Sequence, residues 1–282
     1  MTTDSLTNTV YFSSLLRERC PNLNEHITAA LQKRGIPYSY LSGTKDIWCR
    51  DYMPIQIEKD RFVLYKYTPD YLQTKKWLCT QTNPQDVFQT DDKQLQSIWQ
   101  KCSAIDLVMD GGNVVKCGDA VVMTDKVFKE NKDKSHLEVE GILRDAFQCD
   151  IIFVPWDQQE ELKLGHSDGV VHYVGNGKVL LTNYHDFDTN LYQQYHKALE
   201  SHFEVTTLKY KPKRFHQRSW AYINYLQVGN LVLVPQLGIE EDEQAIEQIG
   251  LALPECEVVG IPALEAVRKG GALNCVSWNV KV

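Results

Sequence analysis

The chain of 282 residues has no Cys-x-x-Cys pair, no apolar run long enough to span a membrane and no low-complexity segment. Its eight cysteines are scattered from Cys20 to Cys275, which argues against a small disulfide scaffold and against a zinc site. Most are expected to be small buried hydrophobes. The stretch from Met1 to Val10 lacks the basic and apolar regions of a secretory leader, so a cytoplasmic location with no membrane partner is expected. Surplus positive charge is missing too. A formal net charge of −7 gives a polyanion little to bind and points away from nucleic acid, while it suits a small cationic partner. What remains is ordinary: hydrophobic residues at 43% and charged residues at 24% are enough for a substantial core. Without a linker to divide it, residues 1–282 are expected to form a single domain.

Against that plain background, five short polar motifs recur. They are Arg50-Asp51-Tyr52-Met53-Pro54, Asp110-Gly111-Gly112-Asn113, Gly165-His166-Ser167-Asp168-Gly169, Ala221-Tyr222-Ile223-Asn224-Tyr225 and Gly270-Gly271-Ala272-Leu273-Asn274-Cys275. Their markers Asp51, Asp110, Asp168, Asn224 and Cys275 stand 59, 58, 56 and 51 residues apart. After four of them a turn and a second apolar run follow, at 62–65, 120–123, 178–181 and 230–234, which predicts hairpins. The turns Cys117-Gly118-Asp119, Gly175-Asn176-Gly177 and Val228-Gly229-Asn230 supply the residues that tolerate tight reversal. Helical periodicity marks 12–34, 91–102, 135–147, 188–202 and 241–252, with starts at Asp91-Asp92 and Asp188-Thr189 and stops at Gly35 and Pro254. A strand and helix unit of this length cannot bury its own apolar faces. Five such units therefore predict an α/β ring that gathers the equivalent motif ends at one central site.

The motifs carry reactive groups. Cys275 follows two glycines that leave room beside the sulfur, and its phase in the repeat argues for a nucleophile where a lone cysteine would be structural. His166 and Asp168 stand two residues apart, which on a strand would put both side chains on one face. His172 and His185 lack such company and are assigned to core or surface. Asp110 opens a glycine turn closed by Asn113, and Asp51 follows Trp48-Cys49-Arg50. Three carboxylates at equivalent phases imply a strongly cationic ligand or a metal. A guanidinium is the better match, because its paired N–H donors fit carboxylates two at a time, and no metal or cofactor is expected. Trp48 could stack on such a cation, and Asn113 joins the candidate substrate contacts.

Trp-x-Arg-Asp, Asp-Gly-Gly-Asn, Gly-His-x-Asp and a terminal Gly-Gly…Cys, in this order, resemble the agmatine deiminase and bacterial-type peptidyl-arginine deiminase family over nearly the whole chain. The stretches Tyr222-Ile223-Asn224-Tyr225, Val234-Pro235-Gln236-Leu237-Gly238 and Val258-Val259-Gly260-Ile261 are similar to that family as well. The resemblance implies the pentein fold, a five-bladed α/β propeller, and hydrolytic deimination of a small guanidine compound. Agmatine, giving N-carbamoylputrescine and ammonia, stands first as substrate, free arginine second and peptidyl arginine third. It further implies Cys275 as nucleophile, His166 as general acid and base, Asp51 and Asp168 as guanidinium clamps, and Asp110 as the group that orients His166. The chain departs from the family in carrying Asn274 where a histidine usually precedes the cysteine, in its shorter length, and in Tyr52-Met53 and Val170-Val171-His172. Amidino transfer, double hydrolysis of arginine, a guanidine-binding protein without turnover and a papain-like acyl transferase are the competing readings. Homo-oligomerisation is left open.

Overall fold

Gly118 (φ +76°), the run Gly175-Asn176-Gly177 (φ +95°, +51° and +69°) and Gly229 (φ +57°) occupy the left-handed region. Tight reversals therefore form where the sequence places them, and the flanking apolar runs fold back as antiparallel hairpins. The computed structural model describes residues 1–159, 163–211 and 219–282.

After each hairpin the chain passes through a helix and returns as a third strand, parallel to the second strand of that hairpin. Among the described residues this gives five sheets of three strands each. One contains Ile55–Glu58, Arg61–Lys66 and Cys102–Val108; the next contains Val115–Lys116, Ala120–Thr124 and Asp150–Val154. Then come Val171–Gly175, Lys178–Leu181 and Glu204–Thr207, followed by Leu226–Val228, Leu231–Gln236 and Glu257–Pro262. The last sheet joins distant parts of the chain. Ser277–Val280 lies antiparallel to Thr9–Ser13, with Thr9 opposite Val280, and Tyr38–Leu41 runs parallel beside it. The cysteine motif therefore finds its second strand near residue 10, which closes the ring and explains why only four motifs have one downstream. The architecture is the five-bladed α/β propeller.

Five helices of seven or more residues, Pro21–Lys33, Lys93–Trp99, His136–Phe147, Thr189–Leu199 and Glu241–Ala252, lie within the predicted stretches. Asp92 accepts the N–H groups of Gln94 and Leu95, and Asp188 that of Leu191, so both aspartates cap as their sequence positions suggest. The first helix begins later than periodicity implied. Residues 12 and 13 belong to a strand, and Cys20 (φ −143°) separates a short turn of helix at Leu16–Arg19 from Pro21, because a residue preceding proline is pushed out of the helical region.

The helices turn apolar stripes inward, Leu23, Ile27 and Leu31 at i, i+4 spacing in one case, Val139, Leu143 and Phe147 in another, and Leu95 and Ile98 at i, i+3 in the shortest. The helix Pro21–Lys33 packs on the strand Glu257–Pro262 of the adjacent sheet, and His136–Phe147 touches both Cys102–Val108 and Asp150–Val154. Neighbouring units thus complete one another's cores, each buried large aliphatic or aromatic side chain contributing about 1.5–3 kcal/mol. All eight cysteines are free; Cys20, Cys49, Cys117 and Cys275 are buried, Cys79 is exposed and the rest are intermediate, so burial is less general than expected. Among the described residues no helix is long and apolar enough to cross a membrane. The basic run from Lys209 to Arg218, a local exception to the acidic balance, lies mostly outside the described residues.

Candidate active site

Every motif forms a short helical turn or loop immediately ahead of the first strand of its sheet, and the ring brings these turns together. Asp51 lies on the turn Cys49–Tyr52, Asp110 precedes Gly111–Asn113, Asp168 sits within Ser167–Gly169, and Asn224 follows Ser219–Ile223. Cys275 stands just before Ser277–Val280. His166 and Asp168 are therefore on a turn rather than a strand, and the same-face argument does not apply to them. They reach one site from two sides.

The His166 imidazole is held between two carboxylates. Its Nε2 is 2.8 Å from Asp110 Oδ2, and its Nδ1 is 3.7 Å from Asp51 Oδ1. Burial alone would strip the ring of its extra proton, but Asp51, then Asp110 and Asp168, outweigh burial and raise its pKa to about 10. Burial, reinforced by the Asp110 and Asp168 charges, pushes the Asp51 pKa well up despite His166. Close approach here requires glycine: a Cβ on Gly112 would lie 2.6 Å from both Asp51 Oδ1 and His166 Nδ1.

Across the site, the Cys275 thiol donates to Asn224 Oδ1 at 3.3 Å and faces Asp168 Oδ2 at 3.7 Å. Burial, with the Asp168 and Asp51 charges, raises its pKa well above the ordinary cysteine value, so the thiol form prevails at rest. Asn274 Nδ2 donates to Asp168 Oδ2 at 2.8 Å, and Asn224 Nδ2 donates to the Asp168 carbonyl at 3.3 Å. Arg50 ties the cysteine turn to the Asp51 turn: its N–H donates to the Cys275 carbonyl, its Nε to the Asn274 carbonyl, and its Nη2 to Asn279 Oδ1 at 2.6 Å.

Two sequence candidates lie outside this arrangement. Asn113 spends its amide on the Thr124 backbone, accepting its N–H at 2.7 Å and donating to its carbonyl at 3.4 Å, which fixes the glycine turn. The Trp48 ring packs so closely against Gly271 that a Cβ there would collide with it, so it supports the cysteine loop. Asn224 was visible in the sequence as a repeat marker and within a stretch similar to the family, with no role assigned, and Tyr71, whose hydroxyl donates to Asp110 Oδ2 at 3.3 Å, had no signal at all. A cavity of about 1180 Å³ opens over His166, Asp168, Asn224 and Cys275. Trp220, Phe187, Leu237 and Ile239 give it apolar walls, and Asp157, Arg268 and Lys269 bring charge to it. Among the described residues no cluster of His, Cys, Asp and Glu could hold a metal ion.

A buried thiol, a histidine braced by carboxylates and an anionic floor are the parts the sequence resemblance implied. Residues 19–280 match the Porphyromonas-type peptidyl-arginine deiminase family. The chain belongs to that family. Among curated relatives, it is similar to the putative agmatine deiminase of Lactococcus lactis subsp. lactis (strain IL1403), at 23% identity over 207 residues, covering 61% of this chain and 57% of that protein. It is likewise similar to the agmatine deiminase of Pseudomonas aeruginosa (strain UCBPP-PA14), at 24% identity over 208 residues, 61% of this chain and 56% of that protein. The matches span little more than half the length of these relatives. The solved structure of the agmatine deiminase of C. jejuni superposes with a TM-score of 0.76 at 16% identity, over 99% of this chain and 94% of that one. At that identity the likeness speaks for the fold.

Proposed function

We propose that the protein hydrolyses the guanidinium group of a small substrate, with agmatine first, releasing ammonia and leaving a ureido product, and that residues 1–282 act as one catalytic domain. The observation that carries this reading is the placement of Cys275, His166 and Asp168 on one cavity, with Asp51 and Asp110 packed against His166. The curated agmatine deiminases to which the chain is similar support the choice of substrate. A cytoplasmic location belongs to the same proposal, and the eight unpaired cysteines agree with it.

Asp168 and Asp51 clamp the planar cation, whose charge offsets the repulsion that keeps the Cys275 thiol protonated, so that the thiol gives up its proton to solvent. The thiolate attacks the central carbon, and His166 as imidazolium gives a proton to the departing ammonia, leaving a thiouronium on Cys275. Neutral His166 then takes a proton from water, which adds to the same carbon; collapse breaks the C–S bond and frees the ureido product. Asn224 and Asn274 hold the Cys275 and Asp168 pair in register.

One observation favours a second substrate. Arg268 and Lys269 stand in the same cavity as Cys275 and would welcome a carboxylate at the far end of the ligand, as in free arginine or a peptide ending in arginine, whereas Asp157 would welcome the ammonium of agmatine. Ammonia release from agmatine, arginine and a peptide with C-terminal arginine, measured in parallel with product mass, decides between them. Silence on all three, with Cys275 unreactive toward a haloacetamidine, would leave guanidine binding without turnover.

A further inference from the structure

We propose that Lys126, acting through Tyr71, is a positioning residue that tempers the hold of Asp110 on His166 so that this histidine can release its proton as well as carry it. The proposal rests on the deimination reading for its kinetic consequence only.

Lys126 is 1% exposed, on a helix that follows directly from the strand Ala120–Thr124. A buried lysine is costly unless its ammonium is fully engaged. Here the Nζ donates to the Leu164 carbonyl at 2.8 Å, two residues ahead of His166, and lies 3.2 Å from Asp70 Oδ1 and 3.5 Å from Glu130 Oε1. It sits 4.7 Å above the face of Tyr71 and 5.8 Å from the Trp156 ring centre, and Lys129 is the other cation beside Asp70. Burial works against its charge, yet Asp110, Glu130 and Asp70 together hold the ammonium protonated. Gly165 is part of the same fit, since a Cβ there would lie 2.7 Å from the Lys126 side chain and 2.6 Å from Trp156.

The route from this cation to the site is short. The Tyr71 ring beneath Lys126 presents its hydroxyl to Asp110 Oδ2 at 3.3 Å, the same oxygen that His166 Nε2 contacts at 2.8 Å, and the two rings meet edge to face at 6.2 Å. Two groups therefore share one carboxylate oxygen, and the Lys126 charge acts on the same carboxylate from behind the Tyr71 ring. The groups facing His166 are Asp51, Asp110, Asp168 and Tyr71; the first three are acidic and hold the imidazolium, which would make it a reluctant acid toward ammonia. Lys126 is the buried cation that offsets them. Removing it, or the Tyr71 hydroxyl, leaves more of the Asp110 charge to His166 and raises the proton affinity of the ring.

The test compares Lys126→Met, Lys126→Arg and Tyr71→Phe with the unaltered protein. The His166 titration midpoint is read by NMR without substrate, and kcat and KM are measured across pH with whichever guanidine is turned over. The expected result is a midpoint raised by about one unit in Lys126→Met and by less in Tyr71→Phe. At neutral pH kcat falls about tenfold with KM changed less than about threefold, the optimum moves to higher pH, and Lys126→Arg restores most of the loss. A uniform fall at every pH with the midpoint unmoved overturns the proposal, as does failure of arginine to rescue. If Lys126→Met does not fold, Tyr71→Phe decides alone, and an unmoved midpoint there is equally fatal. The titration needs no turnover, so it stands even if no guanidine is hydrolysed.

Discussion

His166 and His172 are six positions apart, one in the third motif and the other on the strand that follows it, and both are buried. His166 lies between Asp51 and Asp110, and its pKa rises to about 10. His172 stacks on Tyr225 with ring centres 3.7 Å apart, and burial lowers its pKa to about 4. Its nearby carboxylate, Asp4 at 3.8 Å, is shared with Lys116 and answered by Arg50. Equal burial thus gives opposite charge states, and the difference lies in the neighbours. Around His166 three acids face one imidazole; around His172 the acid is already matched by two cations. Burial alone makes a histidine neutral and structural, whereas burial among three carboxylates that Lys126 only partly offsets makes it a stored proton beside a thiol.

The widest gap between the two should appear in turnover. His166→Asn should lower kcat by a factor of about 10²–10⁴, the usual worth of a general acid and base, while His172→Phe should leave turnover within about tenfold of the unaltered protein. Steady-state ammonia release checks this, and equal losses in the two variants would erase the distinction. In stability the roles reverse. A histidine whose folded pKa is depressed supports the fold fully above its unfolded value near 6.5, and that support is lost as pH falls from there toward 4. Melting curves between pH 7 and pH 4 should show an acid-sensitive component worth up to about 3 kcal/mol that His172→Phe removes. The raised pKa of His166 acts oppositely: its contribution is complete below about 6.5 and fades as pH climbs through about 10.

A smaller effect sharpens the electrostatic contrast. Cys275, its thiol held protonated by burial and carboxylates, should react slowly with neutral iodoacetamide at pH 7.5, while exposed Cys79 reacts readily. A cationic haloacetamidine should reverse that order, and peptide mapping reads both. The mildest expectation concerns Asn274→His, which replaces the donor to Asp168 Oδ2 by the residue the family usually carries there; kcat/KM should change by no more than about tenfold.

Much of this was legible in the chain because it is written locally. Turn glycines, apolar runs and capping aspartates act within a few residues, so the hairpins and helices could be read with modest errors at their ends. The repeat spacing then put Asp51, Asp110, Asp168, Asn224 and Cys275 at one phase, and the ring gathers them. What escaped depends on long-range contact. Thr9–Ser13 pairs with a strand more than 260 residues away, and no local periodicity announces it. Tyr71 reaches Asp110 across 39 positions from a stretch between two sheet strands, and Lys126, which no motif marks, joins the site through burial against distant residues. Asn113 and Trp48 sit in the right motifs, yet a backbone contact in one case and a glycine surface in the other occupy them as supports.

The most direct test of the central claim is to mix the protein with a turned-over guanidine, quench in acid within milliseconds and locate any adduct by peptide mass spectrometry. The account predicts an N-substituted thiouronium on Cys275, with the mass of the substrate less ammonia, that accumulates further when hydrolysis of the intermediate is slowed by Asp110→Asn, and that is absent from Cys275→Ala. Undiminished turnover by Cys275→Ala, or an adduct confined to another cysteine, would contradict it.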